Sequence, residues 1–359
     1  MKFSNTFSCF DLIANLSSLK IQTSHFDDLH QSPFQNLKPL ITIQKEISLN
    51  TKEILSRLWP FELITPEKIE QQRNNQAQAY EAVGLLQKLP SGQLGFIEQG
   101  IEYPFPTINE IKDYIQSDPE LTELLKQKEK EGFTQLLITP FLQDIHQTAQ
   151  TIEQAVIKQG GQKNNYWSDK WKDQVSFRYF IHLNPDGTLS DGLTKAQIKD
   201  KSNFLLNGYL ISFREANPNI PHRDDPDEFT GKTKTRKKLK AGKTAQEYLD
   251  ILQNPNNPDY RMYQGEEAML PEEWFALFAE DLYTKYIRQN KQIEQDNSSQ
   301  LLDFDRWCWF VTTKFQGSGR LPGARWSPGD RRVDLGDDAL GFSGEHLGVR
   351  PSVRKKFKL

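Results

Sequence analysis

The carboxyl-terminal stretch constrains this chain most. It reads LPGARWSPGDRRVDLGDDALGFSGEHLGVRPSV, Leu321 to Val353. Between Gly323 and Arg350 it holds six glycines and nine charged side chains. Most charged, glycine-rich termini are disordered tails. This one carries Trp326 as an aromatic anchor, and its apolar residues are spaced for a strand. Val333 and Leu335 alternate with Arg332 and Asp334, which turns one pair toward a core and the other toward water. Gly336, Gly341, Gly344 and Gly348 allow turns between short extended pieces. Val349 and Val353 flank Pro351 in a terminal strand, with Arg350 placed to pair inside. Anchors separated by freely choosable polar positions are how a binding loop on a rigid scaffold is written. An ordinary looped surface is the plain alternative.

A terminal strand needs partners made earlier in the chain. Thr65-Pro66-Glu67 is a helix start, and the helix-like text from Ile54 to about Leu89 places Ala82, Leu85 and Leu86 at helical spacing. Pro90-Ser91-Gly92 is a turn, LGFIEQGIEYPFP a short extended segment, and PTINEIKDYI opens a helix through about Lys130. GFTQLLITPF is a buried strand. Phe141, Ile145, Thr148, Ala149, Ile152 and Val156 then mark one helix face, closed by Gly160-Gly161. VSFRYFIHLNPDGTL alternates into an Asn-Pro-Asp-Gly turn, and NGYLISFREA is a second strand. PHRDDPDEFTGKTKTRKKLKAGK is a polar loop, followed by capping-box spacing at Thr244 and Glu247. The helix from Pro271 aligns Trp274, Leu277, Phe278 and Leu282, and Arg306 to Thr313 is an aromatic strand. Residues 1 to about 45 form a weakly patterned leader.

Composition excludes several classes. With 359 residues and a formal net charge of −3, no global field draws the chain to nucleic acid or anionic lipid. The two cysteines, Cys9 and Cys308, make no disulfide framework or four-cysteine zinc site. Cys308, between Trp307 and Trp309, is a small core residue before it is a nucleophile. The histidines show no metal-ligand spacing, and no cofactor is implied. No apolar run approaches the ~18 residues of a membrane span, and the amino terminus lacks a signal-peptide pattern; a cytoplasmic protein is expected. His222, Asp224, Asp225, Asp227 and Glu228 read as a solvated loop. Lys232 to Lys243 carries seven basic residues in twelve, without an aromatic for stacking and with acidic residues just upstream, so nucleic-acid binding is the weaker reading. Gln316 to Arg320 lacks the lysine of a phosphate loop.

A resemblance rests on several stretches in order: LPSGQLGFI, EYPFPTINEI, GFTQLLITPF, PNIP with GKTKTRKKLKAGKTAQEYLDIL, LPEEWFALFAEDL, and SGRLPGARW with RRVDL and GFSGEHLGVRPSV. Over roughly Ala79 to Arg354 the chain resembles the variable proteins of diversity-generating retroelements, of the type found in candidate phyla and some cyanobacteria. Their C-type-lectin fold is related to that of formylglycine-generating enzymes. Leu270 departs from the pattern, where a capping threonine is expected.

The resemblance implies an α+β fold. A mainly helical region over 1–92 precedes a C-type-lectin-like ligand-binding domain over 93–359. The variable region, about 322–350, is rewritten by an error-prone reverse transcriptase that acts on the gene. It implies scaffold positions at Trp326, Leu335, Gly348 and Arg350. It implies diversified, ligand-binding positions at Arg325, Ser327, Asp330, Asp334, Gly336, Asp337, Asp338, Phe342, Ser343, Gly344, Glu345 and His346, with Gly323 and Ala324 as additions. A protein ligand is expected, without catalysis. Copper oxidase chemistry is not implied, because this region has a single cysteine, nor is calcium-dependent sugar binding. Five carboxylates in the outward set point to a partner with a basic patch, and Phe342 to an apolar anchor. A non-diversified lectin-like binder, or a nucleic-acid binder using 232–243, is the alternative.

Overall fold

Helix α1 (Pro66–Val83) starts at the expected cap: Thr65 Oγ1 accepts from the Lys68 amide at 3.3 Å, with Pro66 next in the chain. It ends at Gly84, whose φ of 93° only glycine adopts cheaply. Leu85 and Leu86, expected on the helix, therefore lie past its end, still buried. A computed structural model of the chain describes residues 59–163, 176–201, 204–216, 219–293, 301–304 and 306–357. The expected leader, Cys9 and the first residues of the helix-like text from Ile54 lie outside the described residues.

Strands β1 (Gln87–Lys88), β2 (Leu94–Glu98) and β3 (Ile101–Pro104) form a small antiparallel sheet. The single helix expected through Lys130 is two, α2 (Ile108–Gln116) and α3 (Pro119–Lys130). Asp118 caps the second, accepting from the Leu121 amide at 3.1 Å, and Pro119 has no N–H to continue the first. Strand β4 (Phe133–Thr139) and helix α4 (Ile145–Lys158) fall where expected, with Ile145, Ala149, Ile152 and Val156 buried. Strand β5 (Phe177–Tyr179), helix α5 (Lys195–Lys199) and strand β6 (Leu210–Glu215) follow.

The expected polar loop contains a hairpin, β7 (Phe229–Thr230) and β8 (Arg236–Lys237). After it come α6 (Ala245–Gln253), with its Thr244–Glu247 capping box, α7 (Tyr260–Tyr263) and β9 (Glu267–Ala268). Helix α8 (Pro271–Leu282) is buried on almost every side. At its start Leu270 offers no side-chain cap, and Glu273 supplies half of a box by accepting the Leu270 amide at 2.8 Å. The aromatic stretch at 306–313 is split into β10 (Trp307–Trp309) and β11 (Thr313–Phe315). Strands β12 (Leu321–Ser327), β13 (Arg332–Asp338), β14 (Leu347–Gly348) and β15 (Pro351–Arg354) end the described chain.

The architecture is mixed α+β. One sheet has the order β4-β6-β15-β9 and is antiparallel throughout, so the carboxyl-terminal strand lies inside it. Another has the order β13-β12-β10-β14, with β14 parallel to β10. The described residues belong to a unit beginning at Trp59. Within it, Gln76 of α1 donates to the Leu136 carbonyl at 2.6 Å and accepts from the Ile138 amide at 2.8 Å, extending the free edge of β4. A boundary between 92 and 93 falls inside this unit, because α1 is bonded to β4. Among the described residues, no helix is long and apolar enough to cross a membrane.

Candidate functional site

The β12–β13 hairpin has two chemically different faces. Paired residues across an antiparallel ladder share a face. Trp326 opposite Val333 and Ala324 opposite Leu335 are buried in the main core. The alternate pairs, Arg325 opposite Asp334 and Gly323 opposite Gly336, share the other face. There Trp307 of β10 provides a floor. The Arg325 guanidinium lies 4.9 Å from its ring centroid, and a Cβ added at Gly336 would come within 3.1 Å of the ring.

All four expected scaffold residues are buried. Trp326 is fully enclosed, and Leu335 is buried beside it in the same core. Gly348 has no room for a side chain, since a Cβ there would sit 2.5 Å from Ile220 Cγ2. Arg350 donates through Nε to Asp303 at 2.8 Å, and the same carboxylate accepts from Trp274 Nε1 at 2.9 Å. The terminal strand is thereby bonded to α8 through one buried aspartate.

The expected outward residues divide. Asp330, Phe342, Ser343, Glu345 and His346 are exposed, and Phe342 keeps 51% of its surface. Gly336, Asp338 and Gly344 are half-buried. Arg325 is half-buried too, while Gly323, Ala324 and Ser327 are buried within the sheet. Ser327 donates its hydroxyl to Asp330 at 3.0 Å. Asp334 does not face water as the alternation suggests; Arg325 and Arg332 enclose it at 3.0 and 2.8 Å. Asp337, whose side chain is only 6% exposed, is held by Arg320 at 2.7 Å.

These contacts remove the electrostatic premise drawn from the sequence. Arg332 also reaches Asp330 at 3.3 Å, Arg320 lies 3.9 Å from Asp338, and Arg223 meets Glu345 at 3.3 Å. Each of the five carboxylates has an arginine beside it, so the surface is not a self-repelling acidic patch.

The basic run 232–243 is organised by folding. Arg236 is buried, donating from Nε and Nη2 to Glu266 at 2.7 and 2.8 Å and from Nη1 to Glu215 at 2.9 Å. Lys128 also reaches Glu266, at 2.7 Å. Burial raises the Glu215 carboxyl above its ordinary range, against the opposing pull of Arg236. Lys237 and Lys240 both hold Asp227, at 2.7 and 2.8 Å, and Lys238 pairs with Glu228. Hydrogen bonds from these two lysines bring Asp227 from 3.8 down to about 2. Four of the seven basic residues of the run are thus engaged by carboxylates, while Lys232 and Lys234 stay exposed, which leaves the run a reduced field for a phosphate backbone.

Cys308 is fully buried in β10. Burial, with the Asp303 carboxylate adding to it, pushes its thiol well above the ordinary value, so it is not poised as a nucleophile. Folding also brings together a group that the sequence did not suggest: single ligand atoms of His222, Asp224 and Glu345 lie within 4.8 Å of one another. Compared with known proteins, the chain matches no family model, no curated protein and no solved structure.

Proposed function

We propose that this protein binds a protein ligand through the segment about 322–350, presented on a lectin-like scaffold, and that a diversity-generating retroelement varies the outward residues. The observation that carries this reading is the division of the segment by burial. Trp326, Leu335, Gly348 and Arg350 are enclosed, whereas Asp330, Phe342, Ser343, Glu345 and His346 face solvent. A segment built this way can change its outward side chains while its backbone stays in place. The placement of β15 inside an antiparallel sheet supports the lectin-like part of the proposal, since the segment then closes the core.

Phe342 is the apolar anchor of this surface. An aromatic ring offers large contact area at low entropy cost. The arginine-paired carboxylates give the surface alternating charge, so the fitting partner presents both signs around an apolar pocket. The reverse transcriptase acts on the gene and need not touch the protein.

The test is the neighbouring DNA. The proposal expects a near-copy of the codons for about 322–350, differing at template adenines, beside a reverse-transcriptase gene. A gene with no such repeat would contradict diversification and leave a lectin-like binder of fixed sequence.

A further inference from the structure

Residues far apart in sequence meet where the loop after Ile220 passes the end of the displayed segment. Both sides are fixed by backbone bonds. The Ala241 amide donates to the Pro221 carbonyl at 2.9 Å, and the Gly242 amide to the Leu347 carbonyl at 2.8 Å. On the other side, the Trp307 amide donates to the His346 carbonyl at 2.8 Å, and Gly348 packs on Ile220. His222, Asp224, Glu345 and His346 are thus held at one place by strand β14 and its neighbours, independent of their own charges.

The donor set mixes imidazole and carboxylate. His222 Nδ1 lies 3.6 Å from Asp224 Oδ2, and His346 Nε2 lies 3.4 Å from Glu345 Oε1. The two imidazole rings are 5.5 Å apart between centroids. Clustered carboxylates alone suit hard cations, which want many oxygens. Imidazole with carboxylate suits first-row transition metals, and three protein ligands with water completing the shell is an ordinary zinc arrangement. His222 Nδ1 accepts the Asp224 amide at 3.2 Å, so its lone pair already points to the Asp224 side.

We propose that His222, Asp224 and Glu345 form a binding site for a divalent transition-metal ion of the zinc class, with His346 beside it as a further ligand. The site does not depend on the retroelement reading. Arg223 is its competitor: it reaches Asp224 at 3.4 Å and Glu345 at 3.3 Å, from a side chain that is more than half exposed. Metal binding requires that arginine to swing into solvent and the weak amide bond to Nδ1 to open. A bound ion would join Glu345 of the displayed segment to the fixed loop bearing His222, so metal would set how rigidly that end of the segment is held.

The experiment is calorimetric titration of the full chain with Zn²⁺, with Mg²⁺ as competitor. The proposal expects a single saturable site that excess Mg²⁺ does not displace. His222→Ala and Glu345→Gln should each weaken binding by about tenfold or more, since even outer partners of a metal act on that scale. Arg223→Ala should tighten it. If His222→Ala perturbs folding, Asp224→Asn at an exposed side chain carries the same expectation. Unchanged affinity in Glu345→Gln and Asp224→Asn, displacement by Mg²⁺, or weaker binding in Arg223→Ala would overturn the proposal. His146→Ala, on α4, serves as the variant that should leave Zn²⁺ binding as it was.

Discussion

Two ionic networks in this molecule use the same chemistry for opposite ends. Beside Phe133 at the start of β4, Lys128, Arg236 and Glu266 are closed off from water, with Arg236 fixed on Glu266 by two hydrogen bonds. On the outer face of the β12–β13 hairpin, Arg325, Asp334 and Arg332 pair at comparable distances but at the border of solvent. Distance does not separate them; desolvation does. A buried charge that loses its partner has no water to turn to, whereas a surface charge rehydrates. The buried network therefore demands particular residues, while the outer one tolerates replacement. A variable surface needs the second kind.

The largest effect should come from removing the segment altogether. Because β15 lies inside the sheet and Arg350 anchors Asp303, truncation after Gly319 should abolish the cooperative thermal melt rather than trim the protein. A truncated chain that keeps a cooperative melt would show that the segment is an appendage. Next, Arg236→Ala should cost about 3–5 kcal/mol by leaving Glu215 without its partner and Glu266 with Lys128 alone. Trp326→Ala should cost a similar ~3–5 kcal/mol through the cavity it leaves. Denaturant melts measure both.

The outer network should respond less. Arg325→Ala removes its pairing with Asp334 and its contact with the Trp307 ring, and should cost no more than about 1 kcal/mol. If Arg325→Ala were as costly as Arg236→Ala, the distinction between the networks would fail. The smallest effect concerns Asp227. Its carboxyl is held at about 2 by Lys237 and Lys240. A depressed carboxyl contributes stability that is complete above its unfolded value and is lost as pH falls through its folded value. The contribution of Asp227 should therefore fade only between about pH 4 and pH 2. Replacing both lysines with methionine should return the Asp227 midpoint, followed by NMR, toward the ordinary carboxylate range.

Much of the scaffold was legible in the sequence, because strand alternation and aromatic bulk are local signals. Leu335 follows from alternation and Trp326 from its aromatic bulk, whereas Gly348, read from the residues as a turn, lies in strand β14; the Asp118-Pro119 pair that splits α2 from α3 was equally local, though the helical text around it hides the break. The buried network was not legible. Arg236 stands in a run of lysines that reads as solvated, and its partners Glu215 and Glu266 come from separate strands and loops. Asp334 and Asp337 show the same limit: alternation gives the direction of a side chain but not the arginine that covers it. The meeting of His222 with Glu345 depends on the backbone bonds from Ala241 to Pro221 and from Gly242 to Leu347, which no local pattern encodes.

The central claim is that the carboxyl segment is a fixed frame carrying replaceable side chains. Two libraries of the full chain test it most directly, scored for folded protein by resistance to proteolysis. One randomises Asp330, Phe342, Ser343, Glu345 and His346; the other randomises Ala324, Trp326, Leu335, Gly348 and Arg350. The account predicts that most members of the first library stay folded and that very few of the second do. Equal survival of the two libraries would contradict it.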